Sequence, residues 1–317
     1  MPRKTAVDPS SAAKELATAY ECLKNADLAN ADIFLERAIR FDFENPEVLF
    51  SMKCLQFWKE QLTRMPETTD LVGRGDYLCT SWKSFLGFLS HIQGDYEIAR
   101  YAFRRLAFGM ALDQYLAIPD EQKEAMGPAI DFRLGRARKA CGDIETAIVH
   151  LERAIQNRKN DASTLAELAD AYALAGEIRK SKALFREAFF LDPQAVELEF
   201  LESEFIIKII ENVRELGYSG NDIAEWIPVY GELWGVLNIK RALTSTEYAR
   251  IASSARQMDV DLRERPQLRA SILPRLLNRY FWMADYLHAQ NDAAGLNSIL
   301  SKIKILDPSI YGQYTGS

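Results

Sequence analysis

The chain has 317 residues, of which 48% are hydrophobic and 26% are charged, a balance typical of a soluble globular protein. Its net charge of −6 argues against nucleic-acid binding as the main task. The four cysteines form no Cys-x-x-Cys pair, the N-terminus has no apolar run typical of a secretory signal, and no apolar stretch is long enough to cross a membrane. We therefore expect a cytoplasmic protein without membrane insertion.

The first half of the sequence predicts helices in pairs. Residues 1–11 read as a polar lead-in, and residues 12–45 carry apolar positions of two helices that end at Asn45-Pro46. Residues 46–79 are a divergent unit: a first helix from Pro46, a loop around residues 65–69, and a helix that starts near Asp70 and can continue into the next unit.

Residues 80–113 form a clearer pair, with the marks Leu86-Gly87 and Gly94-Asp95. Residues 114–127 lie outside the pattern, and Pro119-Asp120 there indicates the start of a short extra helix. The spacing returns in residues 128–161 and again, 34 residues later, in residues 162–195. A period of 34 residues predicts a stack of helix–turn–helix units.

The spacing is lost in residues 196–276, a divergent helical block for which we expect three helices, near 196–216, from residue 221 or 222, and from Thr244. Thr244 and Glu247 have the spacing of a capping box. The pattern returns from Leu277, and residues 277–317 are expected to form a last unit and a tail.

The repeated positions resemble those of the tetratricopeptide repeat (TPR) family. The resemblance is good in residues 80–113, 128–161, 162–195 and 277–310, fair in 12–45 and poor in 46–79. It implies an all-α fold: a right-handed superhelix, or solenoid, of about five helix–turn–helix units with a divergent helical insert. In that family small residues at positions 8, 20 and 27 let the two helices of a unit approach closely. The resemblance also implies a concave groove, but no particular partner.

The groove positions of the family give our candidate partner contacts. They are Phe88, Phe132, Arg133, Arg136, Lys139 and Asp170. Arg133, Arg136 and Lys139 recur every third residue on one helix face, where they could bind a carboxylate or an acidic peptide. The alternative is an ordinary solvated face.

Aromatic residues give a second set of candidates. Apolar groove lining is expected from Phe85 and Phe88 in one unit and from Phe281 and Trp282 in another, unless neighbouring helices cover them as core. Trp226, Tyr230 and Trp234 recur every fourth residue along one stripe, which is either a partner or dimer surface or part of the core.

The sequence contains no recognisable combination of catalytic or metal-binding residues. The three histidines are far apart, and neither a phosphate-binding glycine loop nor a nucleophile elbow is present, so we expect no enzyme, no metal and no cofactor. The tripeptide Arg74-Gly75-Asp76 is read as chance, with Gly73 and Gly75 marking an irregular segment. The sequence predicts a scaffold or adaptor that holds a partner peptide or helix. The alternatives are a self-assembling structural component, which includes a homo-oligomer, and a small-ligand-binding subunit.

Overall fold

The computed structural model describes residues 9–66, 70–156 and 160–316. The protein is all-helical: 81% of it is helix, and the described residues contain no strand. None of the helices in these ranges combines the length and the apolar character that crossing a membrane requires. Of the predicted lead-in 1–11, residues 1–8 lie outside the described residues, and residues 9–11 belong to the first helix.

The helices follow one another with short connections. In chain order they are α1 (Pro9–Lys24), α2 (Leu28–Phe41), α3 (Pro46–Arg64), α4 (Leu71–Leu89), α5 (Glu97–Leu116), α6 (Asp120–Met126), α7 (Pro128–Ala140), α8 (Ile144–Gln156), α9 (Ala162–Leu174), α10 (Ile178–Leu191), α11 (Glu204–Glu215), α12 (Asn221–Leu233), α13 (Ser245–Glu264), α14 (Arg269–Ala289), α15 (Ala293–Leu306) and α16 (Pro308–Thr315). Short 3₁₀ turns occur at Pro193–Ala195, Leu198–Phe200 and Pro266–Leu268. The chain divides into two compact halves, one ending at Ala154 and the other beginning at Ile155.

The 34-residue spacing corresponds to a recurring turn. The fifteenth residue of five predicted units has a positive φ: Ala26 (58°), Gly94 (99°), Gly142 (85°), Gly176 (81°) and Asn291 (57°). Positive φ is the conformation that ends many helices, and glycine and asparagine adopt it at low cost. In the divergent unit 46–79 the corresponding residue, Glu60, lies inside helix α3, so that unit has no turn there.

Four of these turns also share one hydrogen bond. The backbone N–H of the sixteenth residue donates to the carbonyl of the eleventh: Asp27 to Cys22 (2.9 Å), Asp143 to Arg138 (3.0 Å), Glu177 to Tyr172 (2.8 Å) and Asp292 to Leu287 (2.9 Å). This bond satisfies a carbonyl that the end of the first helix would leave without a partner. Helices α1–α2, α7–α8, α9–α10 and α14–α15 are therefore hairpins with the same turn.

Small residues bring the helices of a hairpin together. A Cβ atom added at Gly135 of α7 would lie 2.6 Å from Cγ of Leu151 in α8 and 3.2 Å from the carbonyl oxygen of Ala147. In hairpin α9–α10 the corresponding positions hold Ala169 and Ser181, and both are fully buried. Each pair of helices thus packs at a distance that a larger side chain at these positions would prevent.

The helix starts and connections agree with the sequence prediction at three points and differ from it at one. The helix expected from Asp70 is confirmed, because Asp70 caps α4 and accepts a hydrogen bond from the backbone of Gly73 at 2.7 Å. The short helix predicted at Pro119-Asp120 is present as α6. The helix expected over residues 196–216 is wrong in its first third, where a 3₁₀ turn precedes α11, which begins at Glu204. Thr244 forms the predicted capping box with Glu247.

Candidate partner-binding surfaces

Arg133, Arg136 and Lys139 are the three cations predicted to share one helix face, and we call them the basic row. The first of them, Arg133, has an internal partner. Arg133, on α7, donates two hydrogen bonds to the carboxylate of Asp76 on α4, from Nε to Oδ1 at 2.8 Å and from Nη2 to Oδ2 at 2.7 Å. This two-point geometry fits a guanidinium to a carboxylate closely. Burial alone would raise the pKa of Asp76, but the hydrogen bonds from Arg133 and Tyr115 hold it below its ordinary value. Arg133 therefore joins α7 to α4.

The next two members of the row are buried. Arg136 is 8% exposed and lies with its guanidinium 4.5 Å from the ring centre of Phe132, and Lys139 is 1% exposed. A solvated face does not fit this burial. Phe132 itself is half-buried. The role of these three residues as partner contacts stays a prediction, but a partner would not meet them as an open row of cations.

The tripeptide Arg74-Gly75-Asp76 has a structural role within helix α4. Gly75 is buried under the ring of Tyr115, and a Cβ atom there would lie 2.2 Å from Tyr115 Cε1. The Tyr115 hydroxyl donates to Asp76 Oδ1 at 2.8 Å. The expectation that Gly73 and Gly75 mark an irregular segment is wrong, because both lie in a regular helix, where Gly75 allows α5 to approach α4.

Phe88 and its neighbours belong to an aromatic cluster around α4. Phe88 is half-buried and stacks on Phe57 of α3 with ring centres 5.0 Å apart. Phe85 is fully buried, and its ring centre lies 5.6 Å from that of Phe103 on α5. Phe85 therefore belongs to the core, which was the alternative to groove lining. Phe88 sits at the edge of the cluster, where part of its ring is accessible.

Asp170, the acidic groove candidate, is fully buried in the second half of the chain. Its two carboxylate oxygens accept hydrogen bonds from the backbone N–H groups of Glu202, at 2.9 Å, and Ser203, at 2.8 Å. These N–H groups immediately precede α11, so the carboxylate stabilises the start of that helix. As for the basic row, partner contact by Asp170 stays a prediction, while its internal contact is a structural fact.

The aromatic groove candidates of the last hairpin are also interior. Phe281 is fully buried and Trp282 is 3% exposed. The ring of Trp282 lies beneath the guanidinium of Arg186, 4.8 Å from its centre, and Arg186 also pairs with Asp285 and, at 3.2 Å, with Glu232. Burial raises the pKa of Glu232, although Arg186 counteracts part of the increase. This charged cluster holds α10, α12 and α14 together.

The stripe on α12 continues beyond its predicted members. Tyr218, which precedes α12, stacks on Trp226 with ring centres 4.9 Å apart. Trp226 and Tyr230 follow at 5.6 Å, and Tyr230 and Trp234 at 5.1 Å. We call these four residues the aromatic ladder. Trp226 is 7% exposed and belongs to the core. The two tyrosines are half-buried, and Trp234, which is 37% exposed, lies at the surface.

Sequence reasoning did not find Asp76, Tyr115 or Arg186 as partners of the candidate residues. Arg133 and Asp76 are 57 positions apart, and Arg186 and Asp285 are 99 apart, so no local spacing relates them. Tyr218 did carry a signal, because it precedes Trp226 by a multiple of the four-residue spacing of the stripe. Tyr218 lies outside the helix that carries the stripe, because α12 begins only at Asn221.

In the parts of the chain that the structure describes, no group of three or more His, Cys, Asp and Glu side chains is arranged to hold a metal ion. His150 instead pairs with Asp131, with Nδ1 2.7 Å from Oδ1. Comparison of the chain with models of known protein families finds no family that matches. Comparison with curated proteins finds no match either.

Proposed function

We propose that the chain is a non-catalytic interaction scaffold whose TPR-like hairpins stack into a right-handed superhelix. In this proposal it holds a peptide or helix of a partner protein on a preformed surface. The observation that carries the proposal is the positive φ at the fifteenth residue of five predicted units, four of which share the same hydrogen-bonded turn.

Repetition of one hairpin supports this function for a physical reason. A hairpin buries its apolar face only against its neighbours, and a stack of hairpins presents an extended surface rather than an enclosed pocket. The close contact of Gly135 with Leu151 supports rigid hairpins, since close-packed helices resist deformation. A rigid surface binds without the entropic cost of ordering itself.

The internal contacts of the basic row narrow where the partner binds. Arg133 is held by Asp76, and Arg136 and Lys139 are buried. The proposal therefore places the partner on accessible aromatic surface. Among the predicted aromatic residues, Trp234 is exposed and Phe88, Phe132 and Tyr230 are half-buried.

The test is reconstitution from purified components. The full chain is used to capture proteins from its native lysate, and each captured protein is then purified and mixed with it. We expect a complex of fixed stoichiometry, with chemical crosslinks from exposed lysines of more than one helix, such as Lys53 on α3, Lys208 on α11 and Lys304 on α15. If no captured protein forms a complex when both are pure, the scaffold function is wrong. Release of the captured protein in a chemically altered form would equally contradict the scaffold function, because a scaffold does not change its partner.

Self-assembly is a second candidate, favoured by large apolar side chains that lie open to solvent. Phe43, in the connection between α2 and α3, is 63% exposed, and Ile305, on α15, is 82% exposed. Such side chains are common singly on surfaces but are also used in contacts between copies. A concentration-dependent mass in dilute solution that falls in Phe43→Ser or Ile305→Ser would favour this candidate, and a constant monomer mass would exclude it.

A further inference from the structure

The aromatic ladder is a row of four rings in mutual contact. Tyr218 stacks on Trp226 with an interplanar angle of 28°, and Tyr230 stacks on Trp234 with one of 27°. Trp226 and Tyr230 are tilted by 38°, and Tyr218 also contacts Tyr230, with ring centres 5.9 Å apart. Three of the four rings are accessible in part. A continuous, partly exposed row of rings of this kind offers far more apolar contact than a single surface aromatic residue.

The ladder also carries hydrogen-bond donors that the protein does not use. The hydroxyl oxygens of Tyr218 and Tyr230 are 3.2 Å apart, so one hydroxyl donates to the other and the second proton remains for another acceptor. The indole N–H groups of Trp226 and Trp234 donate to no described residue, and neither is among the buried polar groups that lack a partner. They contrast with Trp58 and Trp282, whose indole nitrogens are buried without a partner.

The charge beside the ladder is negative. Asp222, in the first turn of α12, and Asp307, which caps α16, lie close enough to Tyr218 to act on its hydroxyl. Burial, the Tyr230 hydroxyl and these two carboxylates raise the pKa of Tyr218. Neither carboxylate forms an ion pair with another described residue, although Asp307 Oδ1 accepts hydrogen bonds from the backbone N–H groups of Ser309 and Ile310. Their charge is therefore available to a cation that approaches the ladder.

From this combination we infer that the aromatic ladder binds a proline-rich peptide in the polyproline II conformation that has a basic residue next to its proline run. This inference rests on the proposed function, because it names the class of partner segment. Proline rings pack on accessible aromatic side chains, and a polyproline II chain has no internal hydrogen bonds, so its carbonyls accept from tyrosine hydroxyls and indole N–H groups. Asp222 and Asp307 then select arginine or lysine at one end.

The charge also decides between occupants. A second copy of the chain on the same surface would bring Asp222 and Asp307 towards their own equivalents in a symmetric contact, and like charges disfavour that arrangement. An amphipathic helix makes its contacts with side chains and has no free carbonyls along its length for the tyrosine and indole donors. The extended basic peptide uses the rings, the donors and the carboxylates together.

The experiment measures binding of a fluorescein-labelled peptide to the full-length protein by anisotropy. The probe has a run of about ten prolines, or roughly three turns of polyproline II, followed by two arginines. Two control peptides replace the arginines by glutamates or the prolines by alternating glycine and serine. We expect saturable binding of the first peptide and at least tenfold weaker binding of both controls.

Matched variants locate the site. Trp234→Ala, which removes the most exposed ring of the ladder, is expected to weaken binding about tenfold or more, as truncation of an aromatic anchor does. Phe43→Ala, an exposed aromatic residue outside the ladder, is expected to leave binding unchanged. Asp222→Asn is expected to reduce the preference for the arginine peptide over the glutamate peptide. Circular dichroism and thermal unfolding verify that each variant is folded.

Three outcomes would overturn the inference. They are no saturable binding of the arginine peptide, equal binding by Trp234→Ala and wild type, or a concentration-dependent dimer that Trp234→Ala abolishes. In the second and third cases the scaffold function is judged separately by the reconstituted complex. If that complex persists with Trp234→Ala, the scaffold stands and only the ladder assignment fails.

Discussion

Hairpins α4–α5 and α7–α8 have the same sequence marks and pack in different ways. Each has a Leu-Gly pair followed eight residues later by Gly-Asp. In α7 the glycine of the pair, Gly135, lies against Leu151 and Ala147 of α8. In α4 the corresponding Gly87 is exposed, and a Cβ atom there would meet nothing within 4 Å. The same local pattern thus marks a helix contact in one hairpin and open surface in the other.

The cause is the position of the large apolar residues along α4. This helix begins at Leu71 instead of near Thr80, and its buried face includes Gly75, Leu78, Trp82 and Phe85. Once the aromatic rings of that face are buried, Gly87 falls outside it. Burial of large apolar side chains contributes more free energy than one small-residue contact, so the aromatic residues determine which face α4 presents. A repeat signature indicates the helices but not which face each one buries.

The largest expected effect comes from the small-residue contact that α4 does use. We expect Gly75→Ala to destabilise the protein by about 3 kcal/mol, because the new methyl group would lie 2.2 Å from the ring of Tyr115, which cannot move without losing its hydrogen bond to Asp76. The measurement is urea unfolding followed by circular dichroism. Gly87→Ala is the matched control, expected to stabilise by about 0.5 kcal/mol through helix propensity alone. Equal effects of the two substitutions would contradict our account of α4.

A smaller effect is expected in α7. Gly135→Ala places a methyl group 2.6 Å from Leu151 Cγ, and about 2–3 kcal/mol of overpacking is partly offset by the gain in helix propensity, roughly 1 kcal/mol. We therefore expect a net loss of about 1–2 kcal/mol in the free energy of unfolding. The double variant Gly135→Ala with Leu151→Val gives the methyl group space. If the second substitution restores none of the loss in a double-mutant cycle, the contact is not the cause.

The smallest effect concerns the ion pair that links α4 to α7. We expect Asp76→Asn to cost about 1 kcal/mol at neutral pH, because the carboxylate and Arg133 are both partly exposed and solvent screens their attraction. Arg133→Met is the complementary variant for a double-mutant cycle in urea unfolding. Arg100→Met, which removes a more exposed pair with Asp95, is the control and is expected to cost less.

The same ion pair predicts how the free energy of unfolding changes with pH. The folded-state pKa of Asp76 is lower than its ordinary value, so its contribution to stability is present above the unfolded-state pKa, about 3.9, and is lost as the pH falls through the lower folded-state pKa. The difference in unfolding free energy between wild type and Asp76→Asn should therefore shrink below about pH 4. A difference that stays constant from pH 7 to pH 3 would show that the charge of Asp76 is not the source.

The placement of the candidate site residues shows where prediction from sequence stops. The row Arg133, Arg136 and Lys139 was identifiable as one helix face, because helical spacing is a local property. Which groups face it was not identifiable, since Asp76 belongs to a different hairpin and carries no repeat mark. For the ladder, the spacing of Trp226, Tyr230 and Trp234 indicated a stripe but left open whether it is core or surface. The structure shows a gradient, with Trp226 buried and Trp234 exposed.

The sequence by itself determined that this protein is helical and where most of its hairpins turn. Turn positions are encoded locally: a glycine or asparagine, which takes positive φ at low cost, is the fifteenth residue of four predicted units, and only the first unit has an alanine, Ala26, there. Only the tertiary structure decided which face each helix buries and which charges are paired. Those choices depend on contacts such as that of Arg186 with Asp285, between residues 99 positions apart, whose free energy exists only when the helices are packed.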